Sequence, residues 1–187
     1  MGQLMNIVEL PIAGAFIVEG KPHSDHRGAF ERFYCEKVLA EVIGERRIVQ
    51  INHSLTHSVG SVRGFHFQHA PYAEMKMVRC IRGRVWDVLV DLRAGSRTFL
   101  NWHAQELSPE KALMMVMPEG CAHGFQTLEP DSELLYLHTN FYTSQAEAGL
   151  RHDDPKLKID WPLKVTDISE RDKDHPLLTN DFVGLEI

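Results

Sequence analysis

Cysteine is scarce in this sequence: Cys35, Cys80 and Cys121 are the whole set. An odd number without metal-ligand spacing argues against a disulfide framework and fits a reducing, cytoplasmic compartment. Basic residues are outnumbered, 20 Lys and Arg against 26 Asp and Glu, for a formal net charge of −6. That balance gives no general attraction to nucleic acid or to an anionic membrane, though it leaves room for a local basic pocket. No apolar run reaches the roughly 18 residues that would span a bilayer, and the first residues lack the basic-then-apolar pattern of a leader peptide. Internal repeats, low-complexity tracts and long Pro/Gly/Ser linkers are missing too. The 187 residues therefore read as a single domain, 1–187, with enough chain to bury a substantial core.

Helical spacing is equally rare. Only Tyr34–Ile43 shows it, with Val38, Leu39, Val42 and Ile43 on one side and Gly44 as the stop. What is present instead is a series of short strands. Gly83–Leu92 alternates, with Trp86, Val88, Val90 and Leu92 on one face and Val85, Asp87, Leu89 and Asp91 on the other. The second face suits the wall of a polar cavity. Thr98–Leu107, Leu113–Met117 and Glu133–Thr139 continue the series. Many short strands and one helix predict a mainly β fold, a sandwich or barrel. Asp154-Pro155 and Trp161-Pro162 mark a loop-rich C-terminal section expected to wrap it.

Eleven histidines raise the question of a metal. Pro118-Glu119-Gly120-Cys121-Ala122-His123 has the form of the second cupin motif, but the first motif's H-x-H is replaced by His66-Phe67-Gln68. An amide is a poor substitute for imidazole at a zinc or iron site, so a site of His66, His123 and Glu74 is the weaker alternative. His23, His57, His69 and His175 lie among polar neighbours and read as solvated. The densest run of unusual residues is Arg63-Gly64-Phe65-His66-Phe67-Gln68, followed by Lys76. As a strand it would put Gly64, His66 and Gln68 on one face and Arg63, Phe65 and Phe67 on the other.

Asp25-His26-Arg27-Gly28, Gln50-Ile51-Asn52-His53-Ser54, Arg63–Gln68, Lys76-Met77-Val78-Arg79-Cys80, Asp87–Arg93, Pro118–Phe125, Asp154-Pro155 with Trp161-Pro162, and Ser169-Glu170-Arg171-Asp172 occur in this order. Each is weak alone; together they are specific. Through them the chain resembles the dTDP-4-dehydrorhamnose 3,5-epimerase family from about Val18 to Asp172. The resemblance implies a cupin-type β-barrel, or jelly roll, with few short helices. It implies His66 as the base, Asp172 as its orienting partner, Tyr136 as the proton donor and Lys76 beside the sugar C4 oxygen. Tyr142 would stack on the nucleotide base, and Arg27, Gln50, Asn52, Arg63, His123, Glu147 and Arg171 would contact the substrate, a nucleotide sugar. Tyr136 and Tyr142, six apart, would share one face of a continuous strand. A pairing of His123 with Asp87 on the cavity wall is also expected.

The resemblance further implies that no cofactor or metal is needed, because a C4 ketone already acidifies the protons on C3 and C5. A homodimer is implied as well, with the segment before Arg27 as the candidate for strand exchange. One departure stands out. The family's D-x-R-G-x-x-x-E pattern puts a Glu where this sequence has Arg32, with Glu31 one position early. The alternatives are an epimerase of a single centre, C3 or C5, a metal-dependent cupin enzyme, and a silent sugar-binding cupin.

Overall fold

The computed structural model describes residues 5–187. In chain order the elements are β1 Met5–Glu9, β2 Phe16–Gly20, β3 His23–Asp25, β4 Gly28–Phe30, α1 Glu36–Ile43, β5 Gln50–Thr56, β6 Val62–Gln68, β7 Lys76–Arg82, β8 Val85–Asp91, β9 Trp102–Leu107, β10 Leu113–Met117, β11 Cys121–Thr127, β12 Ser132–His138, β13 Glu147–Gly149 and α2 Glu170–Lys173. They form a six-stranded sheet in the order β1-β2-β10-β7-β12-β5 and a five-stranded sheet in the order β13-β6-β11-β8-β9, with β3-β4 pairing apart as a hairpin. The named pairings are antiparallel throughout. The architecture is the mainly β, cupin-like jelly roll expected.

Strand alternation sorts the apolar residues into three layers. Between the sheets lie Val78, Val85, Leu89, Met115, Phe125 and Leu134. The outer face of the six-stranded sheet buries Val18, Met77, Met114 and Leu137 against Leu39, Val42 and Ile43 of α1. The outer face of the five-stranded sheet buries Phe65, Val88, Val90 and Leu92 beneath Leu150, Leu157, Leu178 and Leu185 of the C-terminal section. That section is tied down by Asp154, whose carboxylate accepts from the amides of Leu178 and Lys156. Between the sheets, polar side chains including Gln50, Asn52, His66, Gln68, Lys76 and His138 line a cavity.

Some boundaries depart from the sequence reading. Thr98 to Asn101 belong to a turn, and the Thr98 hydroxyl donates to Asp91 at 2.6 Å. A threonine that serves a buried carboxylate looks in sequence like a strand residue. Tyr142 lies beyond the end of β12, so the two tyrosines do not share a continuous strand. Asn140 turns the chain there, its side-chain amide donating to the Pro71 and Ala73 carbonyls.

Candidate active site

The cavity between the sheets measures about 620 Å³ and is lined from β5, β6, β7, β11, β12 and the C-terminal section. His66 comes from β6 in one sheet and Tyr136 from β12 in the other, so the two side chains face the same space from opposite walls.

The local pattern on β6 is not simple alternation. His66 pairs with His123 and Arg63 with Phe125, so β6 uses one residue more than β11 between those pairs. This bulge turns Arg63 onto the cavity side with His66 and Gln68, correcting the expectation that it faces away. Gly64 sits at the bulge with φ of 108°, and an added Cβ would lie 2.6 Å from the His123 carbonyl oxygen. Only glycine accommodates both the backbone and the neighbour.

Asp172 reaches His66 from the C-terminal section. Ser169 caps α2, its hydroxyl accepting from the Asp172 amide at 3.1 Å. The Asp172 carboxylate then points outward from the helix, accepting from His66 Nε2 at 2.8 Å and from the Gly64 amide at 3.0 Å. Burial opposes its charge, but these two hydrogen bonds outweigh that and hold Asp172 well below the usual carboxylate range. With an ionised acceptor at Nε2, that nitrogen carries the ring proton and Nδ1 is the basic one. Arg171 Nη2 lies 3.0 Å from Nε2 while its other branch bonds Glu147.

Tyr136 is hydrogen-bonded to Ser54 Oγ at 3.1 Å. Burial pushes its phenol well above the ordinary range, with Ser54 pulling weakly the other way. Lys76 Nζ lies 3.2 Å from Glu74 and 3.4 Å from the His66 carbonyl oxygen. Glu74 in turn bonds His138 Nδ1 at 2.8 Å, and His138 Nε2 meets Asn52 at 3.3 Å. Burial works against the Glu74 charge, yet His138 and Lys76 together hold its pKa below the ordinary value. His123 makes the expected contact to Asp87, at 2.7 Å.

At the mouth, the Tyr142 ring is 56% exposed, its hydroxyl donating to Glu147, and its amide donates to Gln50. Arg63 is exposed and donates to the Leu55 carbonyl; among the described residues it has no carboxylate partner. A guanidinium with no carboxylate partner at a cavity mouth is able to bind an anion.

Arg27 departs from the expected set. Its guanidinium pairs with Asp25 on the exposed β3-β4 hairpin and does not line its own chain's cavity, because that hairpin pairs with neither sheet. Glu31, one position early in sequence, meets the buried Arg79 at 2.5 Å. The metal set of His66, His123 and Glu74 is not assembled, since each is turned to a different partner. His175, read as solvated, packs its ring 5.8 Å from that of His66. His138 was also missed, although it lies two residues from Tyr136 and so on the same strand face.

The profile of the dTDP-4-dehydrorhamnose 3,5-epimerase family matches residues 9–180. A dTDP-4-dehydrorhamnose 3,5-epimerase of Sinorhizobium fredii is 39% identical over 93% of this chain and 90% of its own. A dTDP-4-dehydrorhamnose 3-epimerase of Streptomyces niveus is 37% identical over 93% and 84%. The crystal structure of a dTDP-6-deoxy-D-glucose-3,5-epimerase from Legionella pneumophila, in complex with dTDP-4-keto-L-rhamnose, superposes with a TM-score of 0.89 at 34% identity, covering 98% of this chain and 99% of that one. With a profile spanning most of its length and full-length relatives well above 30% identity, the chain belongs to the dTDP-4-dehydrorhamnose 3,5-epimerase family and is an isomerase of the epimerase class.

Proposed function

We propose that this protein epimerises dTDP-4-dehydro-6-deoxy-D-glucose at C3 and C5, giving dTDP-4-dehydro-L-rhamnose, on the route to dTDP-L-rhamnose. The observation that carries this reading is the placement of a histidine–aspartate pair and a protonated tyrosine on opposite walls of one cavity. His66 Nδ1 removes the proton beside the ketone, and the imidazolium formed is stabilised by Asp172. Lys76, held in place by Glu74, stabilises the enolate oxygen. Tyr136 returns a proton to the other face of the ring, which inverts the centre. The Tyr142 ring receives the thymine, and Arg63 takes the diphosphate.

A single-centre epimerase is the second reading, favoured by the 3-epimerase among the relatives at similar identity. Proton NMR of the reaction in D2O separates the two. Deuterium at both C3 and C5 is expected; exchange at one carbon supports the single-centre enzyme, and none at either overturns both. His66→Gln and Asp172→Asn should lower kcat about 10² to 10⁴-fold with little change in dTDP affinity.

We further infer a cytoplasmic, single-domain protein that acts as a homodimer. No helix among the described residues is long and apolar enough to cross a membrane. The β1-β2 hairpin pairs within its own chain through β10, and residues 1–4 of the segment expected to exchange lie outside the described residues. The hairpin β3-β4 is the better candidate, exposed along its length, with Phe30 at 69%.

A further inference from the structure

We propose that His66, Asp172 and His175 form a binding site for a divalent transition metal such as zinc, and that its occupancy switches the base off. The His175 ring is mostly buried, and its Nε2 lies 3.8 Å from Asp172 Oδ1 with no hydrogen-bond partner among the described residues. His66 Nε2 lies 2.8 Å from the same oxygen. The three ligand atoms fall within 4.8 Å of one another. Bonds of about 2.0 Å to a tetrahedral zinc separate its ligands by about 3.3 Å, so the observed spacings bracket what the metal requires. Two imidazoles and a carboxylate suit zinc, and substrate or water would complete the shell.

Two features hold His175 at this spacing. Its ring packs against Gly149, where any Cβ would collide with it. It also follows α2 directly, so the capped turn that aims Asp172 aims His175 too. The Arg171 guanidinium lies 3.0 Å from His66 Nε2 and 3.4 Å from Asp172 Oδ1, so a metal enters only when it swings away. Its side chain is 57% exposed and has solvent to turn into, still tethered toward Glu147. A metal on Nε2 replaces the proton that Nε2 donates to Asp172, and that proton moves to Nδ1, so the ring stays neutral. Nδ1–H can no longer accept a proton from substrate. That consequence rests on the epimerase reading; the binding does not.

The test titrates metal-free protein with Co2+ and follows visible absorption. The expected result is a 1:1 band of tetrahedral type, abolished by EDTA and displaced by Zn2+. His175→Gln and His175→Leu should weaken binding about tenfold or more. Zn2+ should inhibit wild type at the concentration where it displaces Co2+. Absence of a 1:1 band in wild type, or unchanged affinity in both variants, overturns the proposal. If no 4-keto sugar is turned over, the epimerase reading falls alone, because the Co2+ titration still decides the site.

Discussion

Burial decides what each tyrosine in the cavity can do. Tyr142, at the mouth, leaves its ring exposed to stack, and its bond to Glu147 raises the pKa of its phenol. Tyr136 is partly buried within the cavity wall, and burial raises its pKa, so its proton stays on the oxygen around neutral pH, as the proposed donor role requires. The ultraviolet difference between wild type and Tyr136→Phe should therefore show no phenolate from this residue up to about pH 10. The same variant should keep deuterium exchange from the His66 face while losing most of the inverted product. The lysine opposite depends on its neighbours in a comparable way. Glu74 is charged because His138 and Lys76 both bond it, and the carboxylate anchors Lys76. His138→Leu should lower kcat about tenfold with KM nearly unchanged, and His138→Gln, which still donates to Glu74, should recover much of the loss. A packing role alone would not distinguish leucine from glutamine in this way.

The bulge in β6 is the element that assembles the site. Without the extra residue, Arg63 would point into the outer core beside Phe65 instead of into the cavity. Gly64→Ala should destabilise the fold by roughly 1–3 kcal/mol from the positive φ alone, and the contact with the His123 carbonyl adds to that. Denaturant unfolding measures the loss, and an accompanying fall in dTDP affinity would show Arg63 displaced. This element also marks how far the sequence could be read. Period-two alternation revealed the layers, because Val85 and Leu89 against Val88 and Val90 is a pattern set by burial alone. It failed at Arg63 because an inserted residue inverts the faces and leaves no trace in composition. It failed at Thr98 and Tyr142 because β-branched and aromatic residues in turns look like strand residues. The His66–Asp172 pair joins residues more than a hundred positions apart, so only the ordered family motifs made it visible. His175 carried no such signal, and only its spacing of three from Asp172 could have suggested a shared turn.

For the whole molecule, buried titratable groups set the acid limit. His103 is pushed below its usual pKa by burial, so the unfolded chain binds its proton more readily than the folded one. That contribution is complete above about pH 6.5 and is lost as pH falls toward the folded value. Asp91, lowered to about 2 despite burial by bonds from Arg93, Ser96 and Thr98, contributes above the ordinary carboxylate range and is lost between about pH 4 and 2. Thermal melts should thus decline in two stages, and His103→Leu should reduce the first, which His152 and His175, also lowered by burial, share, while leaving the second. Assembly belongs to the same scale. β5 is an open edge of the six-stranded sheet, it carries Gln50 and Asn52 into the cavity, and it leaves Ile51 60% exposed. An unpaired edge with apolar residues calls for a cover, and on the proposed homodimer the β3-β4 hairpin of a second copy would supply it and bring Arg27 with it. Phe30→Asp should therefore give a monomer by light scattering and raise KM for the dTDP sugar. Arg27→Ala should raise KM while leaving the dimer intact. Dimers that persist in Phe30→Asp, or a KM unmoved in Arg27→Ala, would place the interface and the diphosphate contacts elsewhere.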